Sequence, residues 1–279
     1  MDHYCVLGNP VQHSKSPAIH ARFAELTGQA MDYGRLLVPL DGFSGALRHW
    51  MAGGARGCNV TVPFKFEAFR LADSASERAQ LAQAANTLKF AGGRVEADNT
   101  DGIGLVNDIQ VNAGISLAGR DILLLGAGGA AAGVLGPLLA ARPRRLVLAN
   151  RTHDKAVALV ARHAGHPSLQ HLLQKTELLA QAPQGLRADF DVIVNATASS
   201  LSGGEVPVDA RALKPGALAY DMMYGAAAQG FAGWARAHGA VPRDGLGMLV
   251  EQAAESFLFW RGVRPPSAQV LHELREALA

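Results

Sequence analysis

The chain is poor in cysteine, and this scarcity excludes a disulfide scaffold. Two of its 279 residues are cysteine, and Cys5 and Cys58 both lie inside apolar, strand-like runs. Such a setting favours buried free thiols over a disulfide or a metal site. The ten histidines fall in no cluster with the spacing of metal ligands, so we expect no metal centre. A reducing, cytoplasmic location fits this composition.

Charge of one sign and long hydrophobic runs are also lacking. The net charge is +2, and the basic residues are scattered with no aromatic-interleaved stripe, which argues against nucleic acid as a partner. No apolar run approaches the roughly 20 residues that cross a bilayer. Residues 1–10 do not have the pattern of a signal peptide. We therefore expect a small-molecule partner and no membrane contact.

What the chain does contain is a glycine-rich stretch at residues 123–131, LLLGAGGAA. An apolar run that stops at glycines and continues as an alanine-rich segment is typical of a dinucleotide-binding strand, turn and helix. Gly126 would allow the turn, Gly128 would let the backbone approach a pyrophosphate, and Ala131 would let helix and strand pack closely. The helix start would offer free N–H groups to the phosphates.

The next predicted strand, residues 145–149, ends where a ribose-reading residue is expected. An acidic residue there would select NAD, whereas the chain has Asn150, Arg151, Thr152 and then Lys155. A guanidinium suits a 2′-phosphate in charge and in geometry. The sequence therefore predicts NADP as the cofactor, with a tight turn and a solvated arginine as the alternative.

Short β-type runs alternate with amphipathic segments, which predicts an α/β fold with two domains. Residues 102–244 would form a Rossmann-like NADP-binding domain. No predicted strand follows the two predicted helices beyond residue 245, so these helices do not connect strands of the second domain. We expect them to fold back on the first domain. The substrate-binding and catalytic domain would then consist of residues 1–101 and 245–279, with a cleft between the two domains.

Five short polar motifs stand at predicted strand ends or helix starts. They are HSKS at 13–16, NVTVPFK at 59–65, ANT at 85–87, DNTDG at 98–102 and DGLGMLVEQ at 244–252. In this order, and together with the glycine turn, they make the chain resemble the shikimate dehydrogenase family from residue 4 to the C-terminal helix. The resemblance implies the reversible NADPH-dependent reduction of 3-dehydroshikimate to shikimate, in aromatic amino-acid biosynthesis.

Lys65 and Asp101 are the catalytic pair that the resemblance implies. Lys65 follows a β-branched strand and Pro63-Phe64, which would hold its ammonium near an apolar surface, where a lysine can exchange a proton with a hydroxyl. Asp101 would hold that lysine while bonding the same hydroxyl. Which of the two transfers the proton is open at this point. A solvated lysine and a helix-capping aspartate are the alternative.

The resemblance also implies the substrate contacts. Ser14 and Ser16 would bind the substrate carboxylate, and two hydroxyls just before a helix start are a plausible anion site in their own right. For Ser16 the alternative is a plain N-cap, followed by Pro17 at the first helical position. The remaining substrate contacts are expected at Asn59, Thr61, Asn86, Tyr224 and Gln252. Structural roles in a strand, in the core or on a helix face are their alternatives.

The cofactor contacts are expected at the glycine turn and at the ends of neighbouring strands. They are Gly126, Ala127, Gly128, Gly129, Ala130, Asn150, Arg151, Thr152, Lys155, Thr197, Met222 and Gly245. Met222 matches a family residue that lies against the nicotinamide. Ala131 stands where many relatives carry a hydroxyl, so phosphate binding would depend mainly on backbone N–H groups.

Other functions stay open on the sequence alone. A quinate/shikimate dehydrogenase with relaxed cofactor use is the nearest, and Arg151, Lys155 and Ser16 argue against it. A non-catalytic NADP-binding sensor on the same fold would have no need of Lys65 and Asp101. A folate-linked methylene dehydrogenase has a similar two-domain plan, but the polar motifs suit a small hydroxylated acid better. Both a monomer and a homodimer are compatible with the sequence.

Overall fold

The computed structural model describes residues 1–184, 186, 189–197, 206 and 208–278. The chain divides into two compact units, Met1–Gly104 with Leu249–Ala279 and Leu105–Met248. Each unit contains a six-stranded sheet, and the predicted α/β class is confirmed. Both divisions lie a few residues beyond the expected ones, inside the helices that begin at Asp101 and at Leu246.

The sheet of the first unit is mixed, with strand order β2-β1-β3-β5-β6-β4. The strands are β1 (Asp2–Gly8), β2 (Met31–Leu37), β3 (Gly57–Val60), β4 (Ser74–Ala75), β5 (Thr87–Ala91) and β6 (Arg94–Asp98). β1 pairs in parallel with β2 and β3, whereas β5 is antiparallel to β3 and β6. β5 and β6 form a hairpin, in which Gly92 and Gly93 have φ of 58° and 77° and make a turn that glycine favours.

The helices that precede the second unit are α1 (Ser16–Thr27), α2 (Phe43–Ala52), α3 (Lys65–Arg70), α4 (Glu77–Ala82) and α5 (Asp101–Asn107). The alternative role of Ser16 as an N-cap is wrong. Lys15 occupies that position without a side-chain cap, and Ser16 is the first helical residue. The Ser14 hydroxyl accepts a hydrogen bond of 3.3 Å from the backbone N–H of Ser16, so Ser14 supplies the oxygen nearest the helix start.

The sheet of the second unit is entirely parallel, with order β9-β8-β7-β10-β11-β12. Its strands are β7 (Asp121–Leu125), β8 (Arg145–Ala149), β9 (Glu177–Gln181), β10 (Phe190–Asn195), β11 (Leu213–Asp221) and β12 (Val241–Arg243). This is the doubly wound order, and it reverses direction between β7 and β10, where such folds bind ligands beyond the carboxyl ends of the strands. All five residues of β7 are buried, as expected for a central parallel strand.

The helices of this unit include α6 (Gly129–Ala140), α7 (His153–Ala164), α8 (Gln170–Leu173) and α9 (Gln229–Ala237). Two further helices complete the described chain, α10 (Leu246–Arg261) and α11 (Ser267–Leu278). Among the described residues, no helix is both long enough and apolar enough to cross a membrane. Cys5 and Cys58 are buried free thiols, as predicted.

A π-helical segment (Asp108–Asn112) follows α5. The Asp108 side chain is fully buried. It accepts hydrogen bonds from Arg243 Nε at 2.7 Å, from Arg243 Nη2 at 2.6 Å and from the Tyr220 hydroxyl at 2.8 Å. A buried carboxylate needs such partners, and they come from β11 and β12, far from this segment in the sequence.

Candidate active site

The first unit collects polar side chains at one edge of its sheet. β1 and β3 are parallel and end at this edge, and the strand register places Asn59 beside Thr87, and Thr87 beside Asp98. The segments that follow β3 and β6 therefore begin at this edge, and the segment that precedes β5 ends there. They contain Lys65, Asn86 and Asp101, which the sequence had singled out from three separate motifs.

Lys65 and Asp101 form an ion pair. Lys65 Nζ lies 2.5 Å from Asp101 Oδ2, and the two side chains are 16% and 7% exposed. Each residue opens a helix, α3 and α5 respectively. The carbonyl oxygen of Lys65 accepts a hydrogen bond of 2.8 Å from the N–H of Ala85, which ties the start of α3 to the segment before Asn86. The alternative of a solvated lysine does not fit this geometry.

Asn86 holds the other oxygen of the aspartate. Its Nδ2 donates to Asp101 Oδ1 at 2.9 Å and to Thr100 Oγ1 at 2.8 Å, and it lies 3.1 Å from Gln252 Oε1. Its own Oδ1 accepts the backbone N–H of Thr100 at 2.8 Å, which fixes the orientation of the amide. Because each carboxylate oxygen of Asp101 has a different donor, the plane of the carboxylate is fixed as well.

Asn59 binds residues that surround the Lys65–Asp101 ion pair. Its Nδ2 donates to Thr87 Oγ1 and Ser256 Oγ, both at 3.0 Å, and lies 3.1 Å from the carbonyl oxygen of Asn86. Its Oδ1 accepts the Tyr33 hydroxyl at 2.7 Å. The amide is thus engaged within the protein, which fits the alternative role of a positioning residue. The sequence missed Ser256, although its place four residues after Gln252 on one helix face was an available signal.

The remaining predicted substrate contacts of this unit differ in exposure. Ser14 and Thr61 are half-buried, whereas Ser16 and Gln252 are 5% and 8% exposed. The backbone N–H of Thr61 donates to the carbonyl oxygen of Leu7 at 2.9 Å, just beyond the end of β3. A Cβ on Gly8 would overlap the Thr61 methyl group, so a larger residue at Gly8 would force the Thr61 side chain to move.

His20 and Tyr33 form an aromatic pair near Ser16. The rings of His20 and Tyr33 stack with centroids 4.2 Å apart and an angle of 11°. Burial lowers the pKa of His20 to about 3, with the Asn59 side chain opposing the shift. Burial also raises the pKa of Tyr33 well above its usual value. Both groups are therefore uncharged near neutral pH, and they stack on each other, while the Tyr33 hydroxyl also donates to Asn59.

The glycine turn of the second unit has the conformation that the sequence predicts. Gly126 has a φ of 108° and donates its N–H to Ala149 at 2.8 Å, and an added Cβ would lie 3.0 Å from the Ala196 carbonyl oxygen. Gly128 precedes α6, and an added Cβ there would meet nothing within 4 Å. Ala131 is fully buried. The turn thus packs closely against Ala196 at Gly126, whereas there is free space beside Gly128 at the start of α6.

The segment after β8 presents cationic side chains to solvent. Arg151, Thr152 and Lys155 are exposed, and Arg151 forms no ion pair with any residue that the structure describes. Asn150 Nδ2 donates to the Thr152 carbonyl oxygen at 2.8 Å, which shapes the turn into α7. An exposed guanidinium with no described carboxylate beside it is available to a phosphate at this strand end.

The carboxyl ends of β10 and β11 bring the other predicted cofactor residues together. The Thr197 hydroxyl donates to Asn195 Oδ1 at 2.7 Å, and the Met222 N–H donates to the Asn195 carbonyl oxygen at 3.0 Å. An added Cβ on Gly245 would overlap the Met222 carbonyl oxygen, so only glycine fits there. Tyr224 is half-buried and precedes a short 3₁₀ helix (Gly225–Ala228).

These residues fit a dinucleotide phosphate. The strand order reverses beside the glycine turn, an added Cβ on Gly128 before α6 would meet nothing within 4 Å, and exposed cations without an ion pair to any described residue follow the neighbouring strand. Each feature is one that NADP-binding folds use for the pyrophosphate or for the 2′-phosphate.

Comparison with known proteins gives the same family for both units. A model described as the shikimate dehydrogenase substrate binding domain matches residues 6–88. A shikimate / quinate 5-dehydrogenase model matches residues 109–202, and a shikimate 5'-dehydrogenase C-terminal domain model matches residues 245–275.

Full-length relatives carry the name shikimate dehydrogenase (NADP(+)). The relative from Acidovorax sp. (strain JS42) is 67% identical over 100% of this chain and 97% of its own length. The relative from Verminephrobacter eiseniae (strain EF01-2) is 65% identical over 100% of this chain and 96% of its own length.

Two solved structures are similar throughout. Shikimate 5-dehydrogenase from Thermus thermophilus, in complex with NADP(H) and shikimate, has a TM-score of 0.82 at 30% identity, with 100% of both chains covered. An Ael1 enzyme from Pseudomonas putida has a TM-score of 0.86 at 45% identity, with 98% of both chains covered.

Proposed function

Because this chain belongs to the shikimate dehydrogenase family, we propose that it catalyses the reversible, NADPH-dependent reduction of 3-dehydroshikimate to shikimate. It is an NADP-dependent oxidoreductase of aromatic amino-acid biosynthesis. The observation within the molecule that carries the proposal is the Lys65–Asp101 ion pair, whose geometry is fixed by Asn86. A non-catalytic sensor has no need of such a pair.

Lys65 carries the proton in this proposal. One N–H of its ammonium is held by Asp101, and the other two have no acceptor among the described residues, so they are available to a substrate oxygen. Both oxygens of Asp101 are already acceptors, from Lys65 and from Asn86. In the reductive direction Lys65 Nζ donates a proton to the oxygen of the ketone, and in the reverse direction it takes the proton of the hydroxyl. Asp101 orients the ammonium.

The substrate is bound by neutral donors and acceptors around this pair. Ser14 and Ser16 take the carboxylate, and Thr61, Asn86 and Gln252 take the ring hydroxyls. Their support is their common position at one sheet edge and the fixed amides of Asn86 and Gln252. Asn59 acts through its neighbours. The role of Tyr224, which belongs to the second unit, remains a prediction from the family resemblance.

NADPH, when bound, supplies the hydride. The second unit is the NADP-binding domain in this proposal. The backbone N–H groups after Gly128 bind the pyrophosphate, since α6 begins there and its first N–H groups have no helical partner. Arg151 and Lys155 bind the 2′-phosphate, with Asn150 and Thr152 shaping the turn. Thr197, Met222 and Gly245 contact the remainder of the cofactor.

The test is a steady-state assay of shikimate and quinate, each with NADP and with NAD. We expect the highest kcat/KM for shikimate with NADP, because Arg151 and Lys155 replace the acidic residue that would select NAD. Comparable turnover of quinate with NAD would instead support a relaxed quinate/shikimate dehydrogenase. No oxidation of shikimate with either cofactor would leave the sensor as the better description.

A further inference from the structure

Arg35 is attached to the serine segment of the first unit. Its Nε and Nη2 both donate to the Ser14 carbonyl oxygen, at 3.1 Å and 2.6 Å. Arg35 lies on β2 opposite Val6 of β1, which in turn lies opposite Asn59 of β3. Paired positions in parallel strands project to the same face. Arg35 therefore lies on the sheet face that bears Asn59.

The guanidinium of Arg35 keeps most of its hydrogen-bonding capacity. Of its five N–H bonds, the two that point at Ser14 leave both hydrogens of Nη1 and one of Nη2 without an acceptor among the described residues. Its charge is also not neutralised by any described carboxylate. The arginines of the same unit that do pair with carboxylates are Arg22, Arg56, Arg78, Arg261 and Arg264.

The Tyr33 side chain lies close to both Arg35 and Ser16. It precedes Arg35 by two residues, so both side chains share a strand face. The Ser16 hydroxyl and the charge of Arg35 both oppose the rise in the pKa of Tyr33 that burial causes. Since the Ser14 hydroxyl accepts the N–H of Ser16 at 3.3 Å, two hydroxyls and one uncompensated cation lie around the same segment.

We propose that Arg35 is a specificity-determining residue that attracts and orients the carboxylate of the substrate. This inference rests on the proposed function, which assigns Ser14 and Ser16 to that carboxylate. Hydroxyl groups are neutral, so they bind an anion without compensating its charge. The free Nη1–Nη2 edge of Arg35 supplies both the charge and a fork that matches the two oxygens of a carboxylate.

The experiment compares Arg35→Met with Arg48→Met, another exposed arginine of the unit, whose only described side-chain partner is the Ser44 hydroxyl. Shikimate and its methyl ester serve as substrates. We expect Arg35→Met to raise the KM for shikimate about 3- to 10-fold, the scale of an exposed charge-assisted contact. The kcat, the KM for NADP and the kinetics of the ester should stay within about twofold of the parent. Arg48→Met should change none of them.

Arg35→Lys separates charge from geometry, because it keeps the charge and loses the fork. An intermediate KM for shikimate is expected. An unchanged KM in Arg35→Met would overturn the proposal. So would an equal rise for the acid and the ester, since that would mean that Arg35 serves only to hold the Ser14 segment.

Calorimetric titration of shikimate into the parent and Arg35→Met proteins makes the same comparison without turnover. If the parent binds shikimate but does not oxidise it, the proposed function fails while weaker binding to Arg35→Met still supports the role of Arg35. Absence of shikimate binding to the parent would overturn both.

Discussion

The two candidate binding regions of the molecule use different parts of the chain. In the first unit the functional atoms belong to side chains that are nearly buried and hydrogen-bonded to one another, with Lys65 and Asp101 16% and 7% exposed. In the second unit they are backbone N–H groups beside Gly128 and exposed cations such as Arg151. The side chains of the first region are held in place by one another before a ligand binds, whereas the groups of the second region are exposed to solvent.

This difference follows from what each region has to recognise. A small hydroxylated acid presents a few polar groups in fixed positions, and a wrong orientation of one amide would leave a buried donor or acceptor without a partner. Phosphates present many equivalent oxygens, which N–H groups and flexible cations satisfy in several ways. Side-chain substitutions should therefore have large effects in the first region and smaller ones in the second.

The largest effect is expected from Lys65→Ala. Loss of the ammonium removes the proton that is donated to the substrate, and kcat should fall by about 10²- to 10⁴-fold, the usual scale for a positioned acid or base. NADP binding, measured by titration, should be unchanged, because the lysine belongs to the first unit. Lys89→Ala is the matched control, since Lys89 lies over the Phe259 ring in the same unit. Near-normal turnover of Lys65→Ala would remove the lysine from its proposed role.

A smaller effect is expected from Arg151→Ser. The substitution removes an exposed charge-assisted contact to the 2′-phosphate, so the ratio of kcat/KM for NADP over NAD should fall about 10- to 100-fold. The kcat with saturating NADP should change little. Arg162→Ser, at the far end of α7, controls for the general loss of an exposed positive charge. An unchanged ratio of kcat/KM for NADP over NAD would contradict the assignment of Arg151 to the 2′-phosphate. It would also remove one of the two differences proposed between the regions.

The smallest effect on binding is expected at Gly128, and it is best measured against Gly126. Gly128→Ala adds a methyl group where nothing lies within 4 Å, so the melting temperature should be retained while NADP binds about 10-fold more weakly. Gly126→Ala forces an alanine to a φ of 108°, which should lower stability by about 1 to 3 kcal/mol. Thermal melts and NADP titrations of both variants check this. Equal melting temperatures for the two would contradict the different roles of the glycines.

Much of this organisation was predictable because it depends on residues that are neighbours in the sequence. The glycine turn between β7 and α6 and the hairpin at Gly92 and Gly93 both belong to short local patterns. Gly126 illustrates the reason: its turn needs a positive φ, and glycine is the residue that adopts it without steric cost.

The positioning contacts behind the site were not predictable in the same way. Asn59 and Ser256 are separated by 197 positions, and Asn86 and Gln252 by 166. Nothing in the local sequence around Asn59 shows that its amide is already occupied. The same holds for Asp108, whose hydrogen-bond partners Tyr220 and Arg243 lie on β11 and β12.

The sequence by itself determined the α/β class, the family and the identities of the polar residues at strand ends, because hydrophobic periodicity and turn chemistry act over a few residues. Only the tertiary structure decided which of those residues meet. It brought Ser256 to Asn59 and Gln252 to Asn86, engaged Asn59 within the protein, and placed Arg35 beside Ser14 with no ion-pair partner among the described residues. The physical reason is that a buried polar group must find its partner wherever the folded chain brings one, and that partner is set by packing between distant segments.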